Sequence, residues 1–107
     1  MPDVETLGGL VLDRAARRVT LDDEEVKLTA REFDLLSFFL AHPGRVHSRR
    51  HLLEQVWRYN YVGDAKTVDV HVRWLRQKFA GRAPFEIVTV RGVGYRVDRE
   101  DRASSTK

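Results

Sequence analysis

The spacing of apolar residues changes along the chain, and each change marks an element. Between Lys66 and Phe79 the residues Val68, Val72, Leu75 and Phe79 fall on one helical stripe, the pattern of an amphipathic helix laid on a core. Lys66, Val70, Arg73, Trp74 and Gln77 gather opposite that stripe, with Asp69 at its edge and His71 and Arg76 on the flanks. An earlier helix is signalled by Thr29-Ala30-Arg31-Glu32, a capping box in which Thr29 bonds the amide three residues on and Glu32 reaches back to the Thr29 amide. Phe33, Leu35, Leu36, Phe38, Phe39 and Leu40 follow, apolar around most of the circumference. That predicts a central helix covered on several sides and ended by His42-Pro43-Gly44. Ser48 is a good N-cap for a further helix from Arg49 to Trp57, with Leu52, Leu53 and Val56 turned inward.

Residues 5 to 28 carry short apolar or β-branched runs instead: Glu5 to Leu7, Leu10 to Asp13, Arg18 to Leu21 and Glu25 to Leu28. Gly8-Gly9, Asp13 to Arg17 and Asp22-Asp23 punctuate them, which predicts four antiparallel strands with tight turns at Gly8-Gly9 and Asp22-Asp23. Ala80 to Pro84 is a stop and a loop, and Phe85 to Val90 and Gly94 to Val97 read as a hairpin joined through Arg91-Gly92-Val93-Gly94. The two glycines permit positive φ and close approach of the backbone to a partner. The elements add up to an α+β fold: a winged helix-turn-helix with an N-terminal four-stranded antiparallel sheet, three helices and a C-terminal β-hairpin wing. Residues 1–98 are expected to form it, with 99–107 a polar, disordered end.

Charge changes this picture more than composition does. The net charge is +3, but residues 1–34 hold nine acids and five bases while residues 35–97 hold four acids and eleven bases. Positive charge confined to the later two-thirds suits a polyanionic partner. On the exposed side of the Lys66 to Phe79 helix Asp69 is the only acid, among cations, an amide and a large aromatic. A helix lying in a DNA major groove needs such a face: cations for phosphates and groups that touch base edges. With no cysteine there is neither a disulfide framework nor a thiolate metal site. No apolar run approaches membrane-spanning length and no signal peptide is apparent, so a cytoplasmic location is expected, with no membrane partner. Four histidines are scattered, and the i, i+4 pair His47 and His51 straddles a helix start, so neither a metal, a cofactor nor an enzymatic constellation is predicted. The competing reading is a winged helix whose basic face binds an acidic protein. Between Trp57 and Lys66, Tyr59, Asn60 and Tyr61 lie in a loop, where the aromatics serve either as a contact surface or fold back onto the core.

Several motifs occur in order and at family-like spacing: Leu28-Thr29-Ala30-Arg31-Glu32-Phe33-Asp34-Leu35-Leu36, Ser48-Arg49 with Leu52-Leu53, and Val56-Trp57. Thr67-Val68-Asp69-Val70-His71-Val72 with Leu75-Arg76, and Thr89-Val90-Arg91-Gly92-Val93-Gly94-Tyr95, complete the set. From about Glu5 to Asp98 the chain resembles the effector domain of OmpR/PhoB-type response regulators. The resemblance implies a transcription factor joined to an N-terminal receiver domain that a sensor kinase phosphorylates on aspartate. No receiver is present in these residues, so they read as an excised effector domain, a naturally truncated protein being the alternative. Binding to double-stranded DNA at direct repeats, as head-to-tail pairs, is implied, as is contact of the Tyr59, Asn60 and Tyr61 loop with RNA polymerase. By position, the resemblance assigns phosphate contacts to Arg49, Trp57, Lys66, Thr67, His71, Arg73, Arg76, Thr89 and Tyr95. It assigns base-edge contacts to Asp69, Val70 and Trp74, and a minor-groove contact to Arg91. Trp74 departs from the pattern, since an arginine or another hydrogen-bonding residue is common there.

Overall fold

The computed structural model describes residues 2–58 and 63–100, so the expectations for Tyr59, Asn60 and Tyr61, and for residues 101–107, lie outside the described residues. Four strands open the chain, β1 (Val4–Leu7), β2 (Leu10–Asp13), β3 (Arg18–Leu21) and β4 (Glu24–Glu25), joined antiparallel in that order. Pairing Leu10 with Leu21 and Leu12 with Val19 puts four aliphatic side chains on one buried face. The predicted turn at Asp22-Asp23 holds both residues at positive φ, 52° and 70°, the twist that suits a two-residue hairpin and that aspartate tolerates better than most residues. Gly9 packs against it so tightly that a Cβ would lie 2.0 Å from Asp22 Oδ1. The fourth strand is shorter than the predicted Glu25 to Leu28 run. The strand covers Glu24–Glu25, the Val26 amide still bonds the Val19 carbonyl at 2.9 Å, and Val26 and Leu28 then pack partly buried on the core as the chain leads to the next helix cap.

That helix, α1 (Ala30–Ala41), starts at the predicted capping box: Thr29 Oγ1 accepts the Glu32 amide at 3.2 Å and Glu32 Oε1 accepts the Thr29 amide at 2.9 Å. Phe33, Leu35, Leu36, Phe39 and Leu40 are buried, which makes α1 the central post. Glu32 is buried as well, and its Oε1 also receives Lys78 Nζ at 2.6 Å, tying the start of α1 to the end of α3 (Lys66–Phe79). Burial alone would raise the Glu32 pKa, but the bonds from Lys78 and Thr29 outweigh it and hold the carboxyl below its ordinary range.

Helix α2 (Arg49–Leu52) begins at Ser48, whose hydroxyl accepts the His51 amide at 3.0 Å. The α-helix predicted through Trp57 is a correction: Leu53–Trp57 is wound as a π-helix, and Arg58 leaves it at φ 81°. The wider turn brings Val56 and Trp57 into the core together.

The wing also differs from the predicted two-stranded hairpin. A short strand, β5 (His47–Ser48), pairs with β7 (Gly94–Arg99), which pairs with β6 (Phe85–Val90), in the order β5-β7-β6. Gly92 sits at the hairpin turn with φ +75°. The close approach expected of Gly94 is made to the chain itself, since a Cβ there would lie 1.9 Å from the His47 carbonyl oxygen. Strand β7 also runs two residues past Val97, the predicted end of that strand, and the Glu100 amide bonds the Pro84 carbonyl at 2.9 Å.

Pairing of β5 places the His47 ring near those of Phe38, at 4.9 Å, and Phe39, at 6.1 Å, stacked on His51 at 5.5 Å and edge-on to His42 at 6.1 Å. It is buried, and its Nε2 finds no hydrogen-bond partner among the described residues. Burial, with positive charge from His51, His42 and Arg45, pushes its pKa below the ordinary histidine value, and only the bond to the His42 backbone opposes this. When the folded value lies below the unfolded one, the unfolded chain takes up the proton first on acidification. The contribution of neutral His47 is therefore complete above the unfolded value of 6.5 and is lost as pH falls below it. The urea midpoint is expected to drop from about pH 7.5 to pH 5, at a slope of no more than ~1.4 kcal/mol per pH unit from this one group. His47→Phe, which keeps an aromatic ring against Phe38, is expected to flatten that drop; parallel curves for the two proteins would remove His47 as its source.

Candidate nucleic-acid interface

Helix α3 is started by Asp64, whose Oδ1 accepts the Lys66 amide at 2.9 Å, and stopped by Ala80 and Gly81 in left-handed conformations. The predicted stripe is the one it buries: Val68, Val72, Leu75 and Phe79 are each at most 2% exposed. Burying this stripe leaves Lys66, Val70, Arg73, Trp74 and Gln77 in solvent, as expected, with Val70 at 40% and Trp74 at 42% exposure. Arg91, at the turn between β6 and β7, is also exposed. Among the described residues, Lys66, Arg73 and Arg91 form no ion pair and are exposed, although the Lys66 charge also acts on the nearby Asp69 carboxylate.

The remaining site residues are drawn into contacts within the protein. Asp69 Oδ1 accepts Arg49 Nε at 2.7 Å and also the Tyr95 hydroxyl, so α2, α3 and β7 meet on one oxygen. Burial would raise the Asp69 pKa, but these two donors hold it below the ordinary carboxylate range. The same burial and the bond to Asp69 push the Tyr95 phenol up. Two guanidiniums lie over the Tyr95 ring, Arg49 at 5.4 Å and Arg76 at 5.9 Å. Because its one hydroxyl proton goes to Asp69, Tyr95 in this arrangement has none to donate to a phosphate. Arg76 Nη2 donates to the Ile87 carbonyl at 2.6 Å and to Thr89 Oγ1 at 2.9 Å, which fastens α3 to the wing.

A row of rings leads outward from the core. Trp57 is buried and meets the His71 ring edge-on at 5.0 Å, and His71 meets Trp74 at 5.0 Å. His71 Nδ1 lies 2.7 Å from the Thr67 carbonyl oxygen one turn back, so Nδ1 carries a proton and Nε2 is the nitrogen left to face outward. Thr89 is exposed on the wing and Thr67 half-buried at the start of α3. Arg49, half-buried, keeps its outer nitrogens beyond the bond from Nε. Of the expected contacts, Lys66, Val70, Arg73, Trp74, Thr89 and Arg91 thus lie open, whereas Trp57 and Tyr95 are mostly enclosed. Sequence reasoning did not find the two internal ties made by Arg76 and Asp69. The lone acid on a cationic face was the visible sign of the second, because an unpaired carboxylate would repel a polyanion.

Residues 23–97 match the family model described as "Transcriptional regulatory protein, C terminal". The alkaline phosphatase synthesis transcriptional regulatory protein SphR of Synechococcus elongatus is 48% identical over 98 residues, covering 90% of this chain and 38% of SphR. The chain thus spans well under half the length of that relative. The DNA-binding domain of Klebsiella pneumoniae RstA, solved in complex with the RstA box, superposes with a TM-score of 0.78 at 32% identity, covering 91% of this chain and 98% of that one. The DNA-binding domain of the response regulator AdeR, solved in complex with an intercistronic region, gives 0.77 at 30% identity, covering 89% and 99%.

The two hydrogen bonds from Arg76 to β6 make a stability test of its role. Arg76→Ala leaves the Ile87 carbonyl short of its charged donor and is expected to cost about 1–2 kcal/mol in urea unfolding. A residue that served only to meet a ligand would leave the unfolding midpoint of the free protein unchanged.

Proposed function

The chain belongs to the family of C-terminal domains of OmpR/PhoB-type transcriptional regulators, and from that premise we propose that it reads specific duplex DNA with α3 in the major groove and the β6–β7 turn at the minor groove. The family is one of DNA-binding transcription regulators rather than an enzyme class. The observation that carries the finer reading is the division of α3. One stripe is fully buried, and the opposite face presents Lys66, Arg73 and Gln77 around the apolar pair Val70 and Trp74.

In this reading Lys66, Arg73 and Thr89 contact phosphates, joined by His71 through Nε2 and by the outer nitrogens of Arg49. Val70 and Trp74 meet base edges through apolar contact, the thymine methyl being the natural partner, because an indole cannot form the bidentate pair that arginine makes with guanine. Arg91 enters the minor groove, where a narrow A·T-rich stretch attracts a guanidinium. In the whole protein this domain serves as the cytoplasmic output of a receiver domain. It binds direct repeats as a head-to-tail pair and meets RNA polymerase through the Tyr59, Asn60 and Tyr61 loop. No helix among the described residues is long and apolar enough to cross a membrane.

Salt dependence tests the groove assignment directly. Affinity for a selected duplex is expected to fall steeply with salt as counterions are released, and Arg73→Ala to weaken selected and random duplex alike while lowering the log-log slope by about one unit. An unchanged slope would take Arg73 off the phosphate backbone. Equal affinity for duplex DNA and for an acidic polypeptide would favour the protein-binding alternative.

A further inference from the structure

The Asp69 carboxylate is held in an unusual way for a groove-facing acid. Its Oδ1 is occupied twice, by Arg49 Nε from α2 and by the Tyr95 hydroxyl from β7. No contact to Oδ2 is made among the described residues, and the side chain stays 38% exposed at the edge of the face that carries Val70 and Arg73. Tyr95 cannot drift. Its backbone pairs with His47 on one side and Thr89 on the other, and its buried ring has the guanidiniums of Arg49 and Arg76 over it. A solvated helix aspartate would sample several rotamers, whereas two donors from two other elements fix this one.

We propose that Arg49 and Tyr95 are specificity-positioning residues: by engaging Oδ1 they aim Oδ2 of Asp69 at the floor of the major groove as a fixed acceptor for the amino group of a cytosine. This rests on the reading of α3 as the groove helix. The choice of base follows from the groove edges. Guanine shows only acceptors there and thymine an acceptor and a methyl, both of which reject a carboxylate. Adenine has a donor beside the N7 acceptor, whereas cytosine offers a donor alone. The two donors also keep the carboxylate charged and offset its repulsion from the phosphates. Tyr95 then acts through Asp69, with its proton committed to the carboxylate rather than to the DNA backbone.

The test is selection of sites from a random duplex library by the full chain, comparing wild type with Asp69→Ala, Tyr95→Phe and Arg49→Gln. Wild type is expected to enrich cytosine at one step of each half-site, and Asp69→Ala to lose that preference. Tyr95→Phe is expected to weaken the preference at that same step roughly five- to tenfold, with the other steps and the affinity for random duplex unchanged. A merely structural role would lower affinity at every step together. Should Tyr95→Phe fail to fold, Arg49→Gln, at a half-exposed position, carries the test and is expected to relax the same step beyond its general loss of affinity. Full cytosine preference in the folded variant, an unaltered site for Asp69→Ala, or loss of random-duplex affinity by Tyr95→Phe would each overturn the proposal. Failure of wild type to enrich any sequence would instead overturn the groove reading beneath it.

Discussion

Burial of one stripe of α3 decides what the rest of the molecule can present. Val68, Val72, Leu75 and Phe79 are almost wholly enclosed, and side chains of this size each gain roughly 1.5–3 kcal/mol on leaving water. Four of them together match the net stability of a domain this small, commonly about 5–15 kcal/mol. Rotation of α3 about its own axis is therefore closed to the folded protein. Which residues face outward is settled by which face in, before any ligand is considered. A polar substitution in the stripe would damage the outward face by releasing the helix, without touching a residue on it.

Rotation is only one freedom; the helix must also be held against sliding and against the wing. Three polar ties do this, each joining α3 to a different part of the fold. Lys78 reaches the buried Glu32 on α1, Arg76 binds two oxygens of β6, and Asp69 collects donors from α2 and β7. Gly94 lets β7 come close enough to His47 for β5 to pair. That pairing sets Tyr95 at the right height to reach Asp69, so the tie depends on a residue with no side chain.

Much of this was legible in the chain, for an identifiable reason. Local rules fixed the capping box at Thr29 and Glu32, the Asp22-Asp23 turn and the apolar stripe of α3, since each depends on neighbours within a few residues. The features that escaped depend on distant partners. Strand β5 is two residues long and has no periodicity to detect; it exists because β7 lies beside it. The π-turn at Leu53–Trp57 answers the need to bury Val56 and Trp57 together, and after Glu25 the chain leaves β4 with Val26 and Leu28 packed partly buried on the core. At the candidate site the outward residues were readable from helical spacing. The partners of Asp69, Arg76 and Tyr95 were not, because hydrogen bonds between elements leave no spacing in the sequence.

The same distinction explains the chemistry of the exposed face. Cations at its margins, Lys66, Arg73 and Arg91, are long and form no ion pair among the described residues, and suit a partner whose charge is spread along a backbone. The centre is stiffer. Trp74 has two side-chain torsions, against four for an arginine, and its ring is braced through His71 by the buried Trp57. A braced indole cannot follow a base edge as a flexible guanidinium can, and with one N–H donor it has little hydrogen-bonding capacity to offer. On the proposed reading of α3 as the groove helix, discrimination opposite Trp74 comes from shape and apolar contact. The hydrogen bonding left to this face therefore falls to Gln77, to the exposed cations and to the one acid that the fold itself holds in place.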